Sequence, residues 1–369
     1  MANFVREYGT LKARKQKPKK SPPTKKGTTI GSDKKFILIL AGVFLLFVLY
    51  RTFIGSNVNI RSEKFWVYIP AYSDANKIAE ILSEKEVINN GLTFKLMAYF
   101  MDFKKLPEHG LYELEKGWNN YQLISHLRSV KAIPATSISI PFFRHRSNLT
   151  GFLGKKLKIN PDALSKLMND NDYLKKFKGL DKHNAFCMFV PGTYYFTKNP
   201  GAEDVFERMY SEYRHFWNED RLEQAEEMGL TPEQVYTLSS IVYLETKNQE
   251  EMPLIAGVYL NRLKKNMRLE SDPTALFASN SYHVKRVYQK HTQVKSPYNT
   301  YQNKGLPPGP ICLPPAQVID AVLDYDDHDF LYFCAKEDSS GTHNFAATYE
   351  EHKINAENYR KSLNKRKIF

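Results

Sequence analysis

The chain has 369 residues, 42% of them hydrophobic, and a formal charge of +13; about 310 residues beyond an N-terminal apolar run suffice for two domains with real cores. The charge is lopsided: residues 1–35 hold eleven Lys and Arg against Glu7 and Asp33, so +9 of the +13 sits there and little remains for a nucleic-acid-binding face. The ten histidines are scattered, and Cys187, Cys312 and Cys334 form no close pair; no metal site or cofactor is expected, and at most one disulfide can form.

Residues 1–35, basic and poor in apolar side chains, are predicted to be a disordered tail. Residues 36–54 are apolar apart from Arg51 and Thr52; at about 1.5 Å per residue they make a helix of roughly 28 Å, enough to span a bilayer. The positive-inside rule keeps the tail in the cytoplasm and puts the rest of the chain outside. No small-x-small cleavage site follows, so the run reads as an uncleaved single-pass anchor.

Beyond the anchor, Phe65–Pro70 alternates as a strand, and Ser73 is placed to cap a helix carrying Ile78, Ile81 and Leu82. A helix over Leu92–Phe103, a strand over Gly110–Leu114 and a helix over Tyr121–Val130 follow. A second such unit is suggested by the strand Ser137–Pro141 and helices over Leu149–Leu157 and Pro161–Asn169. Phe189–Phe196 reads as a strand leading into one long charged helix from Glu203 to Glu227.

Thr231-Pro232-Glu233-Gln234 is a capping-box start with proline in the first turn. In the helix it opens, Val235, Leu238, Ile241 and Val242 form an apolar stripe, and Glu245 lies three and four residues past the last two, on the same face. An inward carboxyl loses hydration in its charged form, so its pKa rises toward the range of a general acid at neutral pH. A structural glutamate paired with a buried Arg or a backbone amide is the other reading of a lone inward acid.

A second helical run, Leu254–Leu263, places Asn261 and Arg262 at its polar end, and Ser271-Asp272-Pro273-Thr274 reads as a turn opening a short helix, with Asp272 as cap. Glu250 and Glu251 sit among polar residues after the Glu245 helix. The stretch Ser296–Ile311, with Gly305-Leu306-Pro307-Pro308-Gly309-Pro310, is predicted to be a rigid exposed loop, because these prolines join neither a helix nor a central strand. Tyr298, Asn299, Thr300 and Tyr301 beside a buried acid suit a sugar-binding cleft wall, with rings for pyranose faces and amides and hydroxyls for sugar polar groups.

Taken together, Ser240–Thr246, Ile255–Leu263, Ser271–Thr274, Tyr298–Tyr301 and Gly305–Ile311, followed by Phe330–Phe333 and Gly341-Thr342-His343-Asn344-Phe345, resemble the ordered motifs of the endolytic murein transglycosylase (YceG-like) family. Members often carry Glu-Lys-Glu-Thr where this chain has Tyr243-Leu244-Glu245-Thr246, and Ile-Pro-Glu-Gly where it has Ile140-Pro141-Phe142-Phe143. The helical stripe selects Glu245 as the catalytic acid.

The resemblance implies an α+β protein: tail 1–35, transmembrane helix 36–54, a LysM-like and connecting α/β region over 62–180, and a mixed α+β catalytic domain over 185–365. It implies a carbon–oxygen lyase of the cytoplasmic (inner) membrane, acting on peptidoglycan glycan strands, with wall-synthesis proteins as possible partners. One acid suffices for such an enzyme, because the C6 hydroxyl of N-acetylmuramic acid is itself the nucleophile. Glu245 would protonate the glycosidic oxygen and then deprotonate that hydroxyl as a 1,6-anhydro ring closes. Asn261, Tyr298, Asn299, Thr300, Tyr301 and His343 are the substrate-binding candidates, His343 being equally readable as a structural histidine. Two other readings remain at this point: a glycan-binding scaffold that lost activity with the acid replaced by Tyr243, and a hydrolytic muramidase, which needs a second carboxylate near Glu245.

Overall fold

The computed structural model describes residues 30–365 apart from 285, 286 and 339, so most of the predicted basic tail lies outside the described residues. Chain contacts divide the protein at residues 50 and 51. Helix α1 (Ile30–Phe53) starts six residues before the expected apolar run, taking in the last residues assigned to the tail. From Phe36 to Phe53 it is long and apolar enough to cross a membrane.

In the unit from residue 51 onward, the first elements are β1 (Lys64–Ile69), α2 (Ala75–Glu84), α3 (Gly91–Phe100), β2 (Gly110–Glu115) and α4 (Asn120–Ser129), in the predicted order. β1 and β2 pair antiparallel, with Phe65 opposite Leu114 and Val67 opposite Tyr112. The alternation of β1 sends Phe65, Val67 and Ile69 into a core with Ile78, Leu82, Phe94 and Leu123, and leaves Trp66 and Tyr68 on the other face. Ser73 is not the cap of α2. Asp74, one residue nearer, accepts from the Lys77 amide at 2.8 Å, while the Ser73 hydroxyl turns back to the Pro70 carbonyl.

The next stretch comprises β3 (Ala135–Ile140), α5 (Arg146–Leu157), α6 (Pro161–Asn169), the single turn α7 (Asn171–Leu174), a 3-10 turn at Ala185–Met188 and β4 (Gly192–Thr197). β3 pairs antiparallel with β4. The latter starts later than the pattern suggested, just past Pro191, which has no amide to give a ladder. The expected long charged helix is two, α8 (Ala202–Phe216) and α9 (Glu219–Glu227). They part where Trp217 is buried and Asn218 caps the second with its side chain on the Arg221 amide.

The remaining elements are α10 (Pro232–Glu245), a 3-10 turn at Gln249–Glu251, α11 (Met252–Lys264), α12 (Asp272–Ala278), the single turn α13 (Gln289–Thr292), α14 (Ala316–Leu323), the antiparallel pair β5 (Tyr332–Ala335) and β6 (His343–Ala346), and α15 (Tyr349–Lys365). α10 is the axis. Every residue from Val235 to Val242 is buried, and α11 and α14 pack against it. Its apolar cluster begins at Ile138 and runs to Leu323, whereas the first cluster covers 58–127, so α5 and α6 share a core with α10.

The predicted exposed loop over 296–311 is partly internal. Asn299, Thr300 and Ile311 are buried, as are Cys312 and Leu313 just beyond it, and the Ile311 amide donates to the Ser240 hydroxyl of α10 at 3.1 Å. Gly309 lies so close to the His183 carbonyl that a Cβ there would overlap it. Gly309→Ala should therefore lower stability by about 1–3 kcal/mol through overpacking, read as a lower urea midpoint at unchanged slope. A native midpoint would mean that the loop does not pack in this way.

Candidate active site

The end of α10 builds the site. Thr231 and Gln234 close the capping box, fixing where the helix starts and hence which face its last residue presents. That residue is Glu245. Two hydroxyls donate to one of its oxygens: the Tyr259 phenol from α11 reaches Oε1 at 2.6 Å, and the Ser271 hydroxyl from the start of α12 reaches it at 2.7 Å. Oε2 has no hydrogen-bonding partner among the described residues.

Glu245 keeps part of its surface in the cleft, but protein atoms crowd its carboxyl, and this burial raises its pKa to about 7. The Tyr259 and Ser271 bonds pull the other way, and the nearby Asp272 charge adds to the rise. The carboxyl also sits at the carbonyl end of α10, where the helix dipole disfavours negative charge.

The cleft before Glu245 has a volume of ≈ 390 Å³. Tyr259, Asp272 and Tyr301 line it near the acid, and Phe333, Cys334 and His343 of the β5–β6 pair line it as well, with His352 and Tyr359 of α15. Asp272 is not a cap. Ser271 holds the N-cap position and spends its hydroxyl on Glu245, while the Asp272 carboxylate accepts from the Tyr301 phenol at 2.7 Å. Burial raises the Asp272 pKa and the Tyr301 bond partly offsets it.

Of the sequence candidates, Glu245, Tyr301 and His343 line this cleft. Asn299 and Thr300 stand behind it. The Asn299 amide donates to the Thr292 and Val294 carbonyls at 3.1 and 2.8 Å, and its Oδ1 accepts from the Tyr301 amide, so it shapes the turn that presents Tyr301. The Thr300 hydroxyl accepts from the Ser271 amide at 3.0 Å and meets Thr274 at 2.7 Å, fixing the turn from which Ser271 reaches the acid. Tyr298 packs its ring on Phe277. Asn261 donates to the His328 and Phe330 carbonyls and serves as an anchor for the chain entering β5.

Glu251, read from sequence as a polar-loop residue, is buried. It accepts from the His343 amide at 2.7 Å and pairs with His343 Nδ1 at 2.9 Å. A carboxylate only accepts, so Nδ1 carries the proton in this pair. Arg262 is not at a polar end either: it is buried and donates to the Arg268, Leu269 and Leu331 carbonyls. Tyr243 does not line the cleft. Its ring meets Phe142 at 5.5 Å and the Lys247 ammonium at 3.4 Å. Tyr259 and Ser271 lack a local sequence signal as partners of Glu245, since each sits on a different element from the acid.

A family model, the YceG-like family, matches residues 67–358 of the chain and so takes in the larger core, most of the first one and every cleft residue but Tyr359. The chain belongs to the YceG-like family. It is 29% identical over 316 residues to a protein of Bacillus subtilis (strain 168) named endolytic murein transglycosylase, covering 81% of this chain and 86% of that one. A protein of the same name from Streptococcus pneumoniae serotype 2 (strain D39 / NCTC 7466) is 24% identical over 338 residues; the match covers 83% of this chain but 61% of the longer relative. The crystal structure of a YceG-like protein from Listeria monocytogenes superposes with a TM-score of 0.50 at 28% identity, over 79% of this chain and 98% of that one.

The raised pKa of Glu245 makes stability depend on pH with a defined sign. Between about 4.5 and about 7 the native state of this YceG-like chain holds a proton that the unfolded chain has released, so stability falls as pH rises across that window. Glu245→Gln should remove this dependence. Its unfolding free energy relative to native should grow from pH 5 to pH 8, by an amount on the order of 1–3 kcal/mol, and then level off. A constant difference across that range would mean that the carboxyl is ionised throughout.

Proposed function

We propose that this YceG-like chain is an endolytic lytic transglycosylase that cuts the bond between N-acetylmuramic acid and N-acetylglucosamine within peptidoglycan strands, leaving 1,6-anhydro ends. The observation that carries the reading is Glu245, whose pKa of about 7 leaves much of it in the acid form at neutral pH; the shared name of the bacillar and pneumococcal relatives supports it.

Tyr259 and Ser271 hold Oε1, so Oε2 is the oxygen that carries the proton to the glycosidic bond. As the leaving sugar departs, the positive charge that develops on the ring is stabilised by the nearby Asp272 carboxylate. The Glu245 carboxylate then takes the proton of the C6 hydroxyl as that oxygen closes on C1. No water is consumed. Tyr301 and His343 are read as groups that hold the sugar chain, while Asn299, Thr300 and Asn261 support the cleft from behind, and Tyr298 packs beside the same loop.

Asp272 also gives the muramidase reading a specific footing, since it supplies a second carboxylate in the same cleft. Against the scaffold reading, Tyr243 does not line the cleft, which favours the catalytic one. The unit from β1 to β2 is read as LysM-like on its strand–helix–helix–strand order, and the catalytic region as the part from about residue 185 onward. The tail is placed in the cytoplasm and the rest outside the inner membrane, within reach of wall-synthesis proteins.

The test is mass spectrometry of fragments released from purified glycan strands by the full-length protein. Native protein should give anhydro ends, with a rate that declines as pH rises past about 7. Glu245→Gln should lose them by about a hundredfold or more. Reducing ends in their place would identify hydrolysis assisted by Asp272. A native chain inert until Tyr243→Glu is introduced would remove Glu245 from its role.

Topology has its own measurement. A reporter fused after Phe369 should be active only if it functions outside the cytoplasm; activity of a reporter confined to the cytoplasm would overturn both the orientation and the wall substrate.

A further inference from the structure

A second cavity lies away from the cleft, between the outer face of β1–β2 and the surface formed by β4 and α8. Its volume is ≈ 470 Å³, within the range of about 300–1,000 Å³ typical of small-ligand sites. Trp66 and Leu111 come from the first sheet, Tyr195 and Phe196 from β4, and Arg208 and Ser211 from α8. Tyr68 stacks on Tyr195 at 4.0 Å with rings 3° from parallel, tying the two sheets together beside the cavity.

What singles this cavity out is Arg208. Its side chain is only 9% exposed and its Nη2 pairs with Glu212, yet Nε and Nη1 are buried without a hydrogen-bond partner among the described residues. The Ser211 hydroxyl, one residue on, is buried and unpartnered too. Buried donors of this kind carry a desolvation cost unless an acceptor meets them. Arg208 and Ser211 thus carry three donor groups without acceptors among the described residues, and both residues line a cavity that also has an indole and a phenol on its walls.

The charge around them selects the ligand. Arg208 is already neutralised by Glu212, and Lys64 at the cavity edge by Glu113. Asp204 and Glu207 also line the space, the first accepting from the Gly201 amide and the second paired with Lys176. An anion would find no uncompensated positive charge, whereas a neutral ligand rich in carbonyl and hydroxyl oxygens would satisfy the donors and lay its apolar face on the rings. We propose that this cavity binds one N-acetylated sugar ring of a neutral glycan, with Arg208 and Ser211 donating to its acetamido and hydroxyl oxygens and Trp66 under its face. The site deepens the glycan reading above and rests on it for its biological sense, giving the protein a hold on the strand remote from the point of cleavage.

Calorimetric titration of the full-length protein in detergent with chitotriose, a trimer of N-acetylglucosamine, tests it. Trp66→Ala and Arg208→Lys, the latter keeping the charge opposite Glu212, should each weaken binding by about tenfold or more, the scale of one lost ring contact or buried donor set. Ser211→Ala removes one unpartnered hydroxyl without disturbing a charge; it should weaken binding less, at a native thermal midpoint. If chitotriose binds all three variants as it binds the native chain, the cavity is not a sugar site, whatever the cleft does. Binding of an alanyl-glutamate dipeptide in place of chitotriose, lost in the same variants, would overturn the neutral-sugar assignment. Chitotriose binding that depends on Trp66 and Arg208 in a protein that cuts no glycan strand would uphold this site and remove only the catalytic reading.

Discussion

The carboxyl of Glu245 is held at the end of a helix whose middle is buried, by two hydroxyls converging on one of its oxygens, and most of the surrounding architecture is arranged to keep it there. Left to itself, a carboxylic acid buried among apolar groups gains a strongly raised pKa and an unpredictable orientation. Tyr259 and Ser271 limit both. They hold the acid near neutrality and fix which oxygen is committed to the protein and which is free. The balance is a competition of known sign: burial and the Asp272 charge lift the pKa, and the two donors lower it.

The supports of those two donors lie one layer further out. Tyr259 is placed by α11, which can lie close to the 326–328 segment because Gly257 has no side chain to strike the Asp326 carbonyl. Ser271 is placed by a turn that Thr300 and Thr274 lock from behind. Buried hydroxyls and amides therefore set the cleft geometry from residues that need never touch substrate. Such networks are exacting, because each unmet donor or acceptor costs more than the bond it loses.

Those parts of the site that rest on local chemistry were legible in the sequence. The capping box at Thr231 fixed the helix phase, and the phase put Glu245 on the inner face, where it lies. The alternation from Phe65 to Pro70 likewise marked a strand, which the structure has as β1. What stayed hidden depends on contacts between distant segments. Glu251 looks like a polar-loop residue until His343, 92 positions away, meets it. Asp272 looks like a helix cap because Asp is a good one, but Ser271 already occupies that place and Tyr301 claims the carboxylate. Asn299 and Thr300 carry the side chains of a sugar-binding loop and are instead consumed in building it. Trp217 broke a long helix for a tertiary reason, its own burial, that helical periodicity does not encode.

The two sides of the cleft are built to different mechanical standards. The acid stands on α10, whose residues Val235 to Val242 are all buried in the larger core. The facing hairpin, β5–β6, is a lone two-stranded sheet with only Ala346 fully buried, a kind of element with little stability of its own. It is held by polar tethers, Glu251 to His343 and Arg262 to Leu331, and by the flank of α15. The protein is thus a vice with one rigid jaw and one sprung jaw: the hairpin side is the one that can yield to the girth of whatever enters, while the Glu245 carboxyl stays in register.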